Sequence, residues 1–393
     1  MPGESPLSMM RTPGQRLPPR TTAHRTARRW IAVGATIVAI AVIWVWLWYY
    51  AATVADRTLA GWLQREAAAG RVYSCGSQSF GGFPFKLDVH CRDVGVEVKT
   101  AQPAYAVAAR TAIFGAAIWH PTRLVGNVVG PLTFAEQGQA PRFSADWVHG
   151  QITVSGIPPN PESASFLLAN PHLDRITIAV AHDDIFKAGR IEATGRVTAG
   201  APNNHPVIEV TLHIDQAVAP ALHPSLAEPV DISLDAFVRG FADLAPKPWP
   251  DRVREMQEGG GGIDVKVIRI AQGNTIIIAG TGTLTVNDHG KLDGVLGLAV
   301  VGIERIVPLL AIDRLIAQGI DRLSGSDSVL DRLAPAISGA IRESANASVI
   351  ENLKKMGQQT SIDGRPAVAL PLRLVDGTIY LGVLPVGQIP SLF

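Results

Sequence analysis

The sequence predicts an α+β protein, in which an N-terminal transmembrane helix precedes a long, curved antiparallel β-sheet body with C-terminal helices packed on it. Three observations lead to this fold class. Residues 30–50 form an uncharged apolar run, many later segments alternate apolar and polar residues, and residues 303–356 switch to a helical period. One-sided alternation over many short segments is typical of antiparallel sheets with one polar and one apolar face.

Composition and charge exclude two classes of protein. The chain has 393 residues, of which 47% are hydrophobic and 18% charged, so wholesale disorder is excluded. Its 35 Lys and Arg balance 34 Asp and Glu, and no nucleic-acid partner is predicted because no basic field exists. The charge is unevenly distributed, because residues 1–29 hold six Arg and one acid, whereas residues 51–393 hold four more acids than bases.

The uncharged run indicates a membrane anchor. As a helix, residues 30–50 would span about 31 Å, close to the roughly 30 Å of a bilayer's hydrocarbon core. Arg28 and Arg29 precede the run, so we expect a basic cytoplasmic tail (1–29), a membrane anchor (30–51) and a body outside the cytoplasm. A cleaved signal peptide is the alternative, although its apolar region is normally only about 7–15 residues long. An aromatic belt marks one end of the run: Trp44, Trp46, Trp48, Tyr49 and Tyr50.

Only two cysteines occur in the chain, Cys75 and Cys91. Because the expected topology places both in a compartment where disulfides persist, we predict a structural disulfide that staples a hairpin. A closed loop of about 15 residues would contribute up to ~3 kcal/mol in the chain-entropy model. Free thiols, and redox or metal chemistry, are the alternatives; a thioredoxin-type site would need a C-x-x-C spacing, which is absent.

The body divides into a β-rich segment, residues 52–258, and a strand–helix–strand segment, residues 259–393, that continues the same body. Ala51 to Ala69 is predicted to be helical, with Gly70 as its stop. The run from Glu258 to Gly262 predicts a flexible hinge between two sheet segments, and the apolar end, residues 386–393, is expected to dock on the body. Alternation predicts strands at residues 176–180, 207–215, 230–234, 263–267, 284–286, 367–375 and 378–384.

Two short motifs carry a family resemblance. The first is Gly82, Phe83, Pro84 and Phe85, after the anchor and a Trp-containing helix; the second is Asp376, Gly377, Tyr380, Leu381 and Gly382, followed by Pro385 and Gly387. With the anchor, this combination resembles the bacterial domain-of-unknown-function family 2125, found in Gram-negative envelopes. The resemblance covers nearly all of residues 30–393 and transfers no catalytic residue. It implies that the anchor lies in the inner membrane and that the body is periplasmic. In architecture only, the body is also similar to AsmA-type envelope proteins, which are linked to lipid traffic.

The Gly-Phe-Pro-Phe motif has a structural interpretation of its own. Phe83 and Phe85 are two residues apart, so on a strand they would share one face, with Pro84 opposite. Proline cannot donate to a sheet ladder, which predicts an edge or a turn. We expect the two Phe side chains to anchor the core at a strand entry; a lipid or partner contact is the alternative.

Motifs for covalent chemistry are missing from the sequence. The serines lack a G-x-S-x-G frame, and the histidines form neither an H-E-x-x-H pair nor a zinc-spaced set. His182, Asp183 and Asp184 are the only dense acid–histidine group, and we interpret them as a polar turn because too few ligands are local. We therefore predict no cofactor, no metal and a non-enzymatic role.

The sequence leaves three functions open. The first is binding of lipid or another apolar ligand, such as acyl chains, in envelope maintenance, along an incompletely covered sheet face. Residues 208–214 and 368–374 would line such a groove. The second is a structural module whose dry face is wholly buried and whose edges bind another envelope protein. The third is an envelope hydrolase.

Overall fold

The computed structural model describes residues 23–101, 103–157, 160–176, 183–222, 224–245, 247–306 and 350–392. The chain divides into two units, Met1–Thr58 and Leu59–Phe393. The described part of the first unit is helical throughout, and the second contains the sheet. The predicted fold class is confirmed, because one long apolar helix precedes a large, curved, open antiparallel sheet with few helices.

The N-terminal helix, α1, spans Ala23–Ala68 in 46 residues. Its segment Arg28–Ala68 has the length and composition to cross a membrane. The predicted anchor and the predicted helix after it are therefore one element. Gly70 stops the helix as predicted, because its φ is +80° and a Cβ there would lie 2.5 Å from Cγ2 of Thr100.

The described residues of the second unit form a 19-stranded antiparallel sheet. The strands are β1 Arg71–Gly81, β2 Lys86–Val98, β3 Tyr105–Ala117, β4 His120–Glu136, β5 Phe143–Asp146, β6 His149–Ser155, β7 Ser163–Ala169, β8 His172–Arg175, β9 Asp183–Lys187, β10 Arg190–Ala201, β11 Asn204–Ala217, β12 Val230–Arg239, β13 Gly262–Gln272, β14 Thr275–Val286, β15 Leu292–Val301, β16 Gln358–Ile362, β17 Arg365–Val375, β18 Thr378–Leu381 and β19 Leu384–Gln388.

The main run of the sheet is a long meander. The pairing order is β1-β2-β3-β4-β6-β7-β10-β11-β12-β13-β14-β15-β17-β18-β19, with β16 also on β17. Strands β5, β8 and β9 extend from the second half of β4. In the sequence, β5 is followed directly by β6, β7 by β8, and β9 by β10. Each of these pairs therefore acts as one longer strand with a bend in it, and the three bends lie next to one another. Trp147 fixes the bend between β5 and β6, because its Nε1 donates to the carbonyl of Val128 at 2.8 Å.

Short helical elements pack on the sheet. They are a 3₁₀ turn at Pro224–Ala227, α2 at Trp249–Glu258 and α3 at Ile303–Ile306, and residues 350–356 are also helical. Most of the predicted C-terminal helical region, residues 307–349, lies outside the described residues. Its described ends do pack on the sheet, because Ile303 and Leu353 belong to one buried cluster with Val300, Val368 and Leu370.

Several strand predictions are confirmed and one is corrected. Strands β11, β12, β13, β14 and β17 include the segments that alternation predicted. The predicted strand 378–384 is instead split at Gly382, where φ is +64°, into β18 and β19. In the predicted strand 176–180, residues 177–180 lie outside the described residues. The apolar C-terminal end docks as expected, because Leu392 packs beside Val253 and Met256 of α2.

The glycine run after α2 is not a hinge between two sheet segments. Strands β12 and β13 on either side of it pair directly, from Arg239 with Gly262 onward. A Cβ on Gly261 would lie 2.2 Å from the carbonyl oxygen of Arg239, and one on Gly240 would lie 2.4 Å from Cα of Gly261. The glycines therefore allow two backbones to touch within one continuous sheet.

Candidate functional site

The meander carries one uninterrupted row of apolar residues across its strands. Antiparallel partners point to the same face of a sheet, so a chain of registered pairs defines a row on that face. At about 4.8 Å between neighbouring strands, the row extends roughly 58 Å. From β1 to β17 its members are Phe80, Val89, Phe114, Gly126, Ile152, Phe166, Ala193, Leu212, Leu234, Ile268, Ala279, Leu298 and Leu370.

Two further rows flank parts of this one on the same face, and they contain only aliphatic residues and glycine. We call the three rows together the apolar face. One flanking row is Leu87, Ala116, Leu124, Val154, Ala164, Gly195, Val210, Ala236, Val265, Gly282, Leu296 and Leu372. The other is Gly150, Leu168, Ile191, Ile214, Ile232, Ile270, Ile277, Val300 and Val368.

The apolar face is covered at its C-terminal strands and open at its N-terminal strands. Leu296, Val368 and Leu370 are buried, the latter two beneath the side chain of Leu353. By contrast, Phe114, Leu124 and Phe166 are 36–37% exposed. Residues 368–374 therefore cannot line an open groove as predicted, because the chain's own helical segment occupies that position. Among the described residues, the face is therefore buried at one end and partly exposed at the other.

The opposite face of the same strands is polar. Glu209 of β11 accepts from Arg196 at 2.8 Å and from Lys266 at 3.1 Å, and these two cations lower the pKa of its carboxyl. Asp264 of β13 accepts from Arg239 at 2.7 Å and from the Thr283 hydroxyl at 2.7 Å. The Arg239 hydrogen bond is the main cause of a lowered Asp264 pKa. One side of the sheet is thus adapted to water and the other to apolar matter.

The two cysteines are joined in the structure, as predicted. Cys75 of β1 and Cys91 of β2 form a disulfide with Cα atoms 5.7 Å apart. Cys91 lies opposite Gln78 in the ladder, and Cys75 lies opposite Val94. The bond therefore fastens the first hairpin, at the strand where the apolar face begins. This staple is compatible with an oxidising compartment.

The Gly-Phe-Pro-Phe motif forms the turn between β1 and β2. Gly82 has a φ of +91°, and a Cβ there would lie 2.8 Å from that of Lys86. Pro84 occupies the turn, as its missing donor predicts. The expectation that Phe83 and Phe85 anchor the core is wrong, because they are 51% and 55% exposed. They project from a turn, so the shared strand face on which that expectation depended does not exist.

The second motif builds the turn between β17 and β18. Asp376 accepts from Lys291 at 3.0 Å and from Asn287 at 3.1 Å, and the Lys291 hydrogen bond, followed by that of Asn287, lowers the pKa of Asp376. Its own backbone N–H donates to Asp293 at 2.5 Å. Gly377, at a φ of +75°, accepts from the backbone of Ile389 at 2.7 Å. This motif therefore ties neighbouring turns and the C-terminal segment together.

The remaining motif residues are structural. Leu381 is buried in the cluster around Leu353, Tyr380 is half-buried and registers with Arg373, and the Gly382 backbone donates to the carbonyl of Pro371 at 3.0 Å. The two motifs are not brought together, because one lies in the β1–β2 turn and the other in the β17–β18 turn. Twelve strands of the main run separate β1 from β18.

Of the group at 182–184, Asp183 and Asp184 lie in β9, where Asp184 pairs with Lys187, and His182 is outside the described residues. Within the parts of the chain that the structure describes, no group of three or more His, Cys, Asp or Glu side chains is arranged to hold a metal ion. The chemistry that the described face offers is burial of apolar surface.

Sequence reasoning missed Trp119, which follows β3 and lies beside the first motif. Its ring centroid is 5.9 Å from that of Phe85, and its side chain is 59% exposed. The available signal was a lone aromatic residue between two alternating segments, where a polar turn is usual. Its proximity to Phe85 depends on register and was not visible in the sequence.

Fold and face define a class: a protein with an N-terminal apolar helix able to cross a membrane and an antiparallel sheet with one continuous apolar face. The chain belongs to the family described as an uncharacterized protein conserved in bacteria (DUF2125), whose model matches residues 48–390. This match confirms the family resemblance drawn from the motifs. No curated protein and no solved structure matches the chain.

Proposed function

We propose that this protein is a single-pass inner-membrane protein whose periplasmic sheet binds acyl chains non-covalently, in the service of envelope maintenance. The observation that carries the proposal is the apolar face, whose three rows contain no polar residue and are partly open. Side chains such as Phe114 and Phe166 keep more than a third of their surface exposed. Apolar surface left in water is unfavourable by about 25 cal/mol per Å², so this face favours an apolar occupant.

An acyl chain fits the face better than a compact ligand does. The rows are long, about 58 Å across the strands, and they lie side by side on one face of the sheet. A linear hydrocarbon gains about 0.8 kcal/mol for each methylene that it buries. The face offers such burial but no fixed polar group that would orient a compact polar molecule, and this supports a chain rather than a specific small metabolite.

The compartment follows from charge and chemistry. The Arg-rich segment before the apolar helix favours retention of the N-terminus in the cytoplasm. The body would then lie in the periplasm, where the Cys75–Cys91 disulfide is stable. A non-enzymatic role is part of the proposal, since Val, Leu, Ile, Phe, Ala and Gly side chains provide neither a nucleophile nor a titratable group.

Site-specific photo-crosslinking in the full-length chain tests this function. A benzophenone side chain at Phe114 or Phe166 should yield lipid adducts in intact cells, identified by mass spectrometry. The matched control is His213, which is exposed on the opposite face of β11 and should give no lipid adduct. Adducts to one protein at Phe114 and Phe166, without lipid, would instead support an interaction module and remove acyl chains as the ligand.

A further inference from the structure

Two neighbouring turns at one end of the sheet present an exposed aromatic cluster, Phe83, Phe85 and Trp119, which we call the aromatic tip. Their side chains are between 51% and 59% exposed. Solvent exposure of three large aromatic rings at one place is costly for a soluble surface, and such a patch marks an interaction site.

The aromatic tip is a preformed structure, because a backbone hydrogen bond and a ring contact join its two turns. The backbone N–H of Ile118 donates to the carbonyl of Phe85 at 3.1 Å, and the rings of Phe85 and Trp119 contact each other. The Gly82 carbonyl accepts from Lys86 at 2.8 Å, which closes the first turn. The tip therefore presents its rings from a fixed backbone and loses little conformational freedom on binding.

The charges around the aromatic tip favour a lipid surface. Lys86 directly follows Phe85, Arg123 lies four residues after Trp119, and both are exposed, whereas Asp88 is half-buried; the exposed acid Glu162 precedes β7, two strands away from β4. Trp and Phe flanked by Lys and Arg are the composition that partitions into the headgroup region of anionic bilayers. The apolar face also begins directly behind the tip, because Leu87, Ala116 and Leu124 form its nearest row.

We propose that the aromatic tip docks on the surface of a phospholipid bilayer, with Phe83, Phe85 and Trp119 inserted at the headgroup level. This contact is separate from the apolar helix, and it does not require acyl chains to bind the sheet. A bilayer is favoured over a protein partner because the apolar face continues the tip inward, whereas a protein surface would leave that continuation uncovered.

Co-flotation with vesicles tests the inference on the whole protein. The full-length chain is reconstituted in nanodiscs, which occupy the apolar helix, and is mixed with phosphatidylethanolamine/phosphatidylglycerol vesicles. The triple variant Phe83→Ser, Phe85→Ser, Trp119→Ser should lose about ten-fold or more in vesicle affinity. A matched control, Val148→Ser with Val383→Ser, removes two apolar side chains that are 80% and 70% exposed elsewhere and should change it less than about two-fold.

Two single variants measure how much the positive charges contribute to vesicle binding. Lys86→Gln and Arg123→Gln should each weaken binding to the anionic vesicles by about five-fold and should leave binding to pure phosphatidylethanolamine/phosphatidylcholine vesicles unchanged. Equal flotation of the wild-type chain and the triple variant overturns the inference. So does loss, in the triple variant, of a crosslink to one envelope protein while flotation persists. Neither result bears on the proposed function, which is tested independently by the lipid adducts at Phe166.

Discussion

Gly377 shows, at the scale of single residues, why one turn of the sheet tolerates only glycine. It lies in the two-residue Asp376–Gly377 turn, with a φ of +75°, and a Cβ there would lie 2.6 Å from the carbonyl oxygen of Ile389. The Asp363–Gly364 turn between β16 and β17 has the same residue types and a Gly364 φ of +74°, but nothing lies within 4 Å of that Cβ. The two turns differ only in what surrounds them.

We expect Gly377→Ala to destabilise the protein more than Gly364→Ala does. Both variants pay about 1–2 kcal/mol for a left-handed alanine, but only the first must also displace the hydrogen bond from Ile389, worth about 1 kcal/mol. Urea unfolding of the full-length chain in detergent measures the difference. Hydrogen exchange should rise in residues 384–392 of Gly377→Ala alone, and equal exchange in both variants would contradict this account.

Asp264 gives the fold a pH dependence. Its pKa is lower in the folded chain than in the unfolded chain because it accepts from Arg239 and Thr283. The carboxylate therefore stabilises the fold above its unfolded pKa of about 3.9, and this contribution is lost as the pH falls through the lower, folded value. Because both partners are more than a third exposed, we expect it to be about 1 kcal/mol or less.

Asp264→Asn should accordingly lower the free energy of unfolding at pH 7, and its difference from the wild-type chain should be smaller at about pH 3, below the unfolded pKa of the carboxyl. Denaturant titration at both pH values checks this expectation. Asp251→Asn is the control, because Asp251 pairs with Arg254 on the exposed surface of α2 and should change little. A loss of the same size at both pH values would show that Asp264 acts through packing and not through its charge.

At the scale of elements, the helical segment 350–356 covers the C-terminal part of the apolar face through Leu353. Leu353 is almost fully buried against Val300, Val368 and Leu370, whereas Met356 of the same segment is exposed. Leu353→Ala should cost about 2–5 kcal/mol, and Met356→Ala less than about 0.5 kcal/mol. Thermal unfolding of the full-length chain measures both, and similar midpoints would mean that this segment does not close the face.

The elements also show which features a sequence can predict. Strict alternation in β11 and β17 made their apolar faces visible, because the period of two belongs to each strand by itself. The glycine run after α2 was misinterpreted because the close approach of Gly261 to Arg239 is a contact between β12 and β13. Likewise, Phe83 and Phe85 are exposed because the chain turns at Gly82. Alternation of residues describes a strand and therefore could not predict the side-chain directions in a turn.

At the scale of the whole molecule, the candidate site emerges only from register. The sequence assigns an apolar side to each strand, but it does not say which strand follows which. In the sheet, Phe166 of β7 faces Ala193 of β10, and β8 and β9 lie between them in the sequence. Had one strand shifted by a single residue, its polar side would have interrupted all three rows. The continuity of the apolar face is thus a property of the assembled sheet.

If lipid binds along the continuous apolar face, a charge placed in the middle of the central row should reduce binding. Ala193 lies midway along the central row, and Thr194 is its neighbour on the polar face, registered with Thr211 and Ser165. Ala193→Glu places a carboxylate in the path, and burying it against hydrocarbon is strongly unfavourable. We expect the lipid that copurifies with the full-length chain to fall about ten-fold, equivalent to about 1.4 kcal/mol, with the same charge at Thr194→Glu causing no loss.

Quantitative lipid mass spectrometry of the detergent-purified variants makes the measurement, and circular dichroism confirms that both retain the sheet. Because Ala193 is half-buried, its glutamate can reach water in the unliganded protein, so the fold should survive. Photo-crosslinkers at Phe166 and at Leu212 would lie on either side of the introduced glutamate. If acyl chains normally extend along the row past Ala193, these two positions should capture different lipids in the Ala193→Glu variant. If the Ala193→Glu variant copurified with as much lipid as the wild-type chain, the three rows would be a hydrophobic core that binds no ligand. The protein would then act through the edges of the sheet or through the aromatic tip.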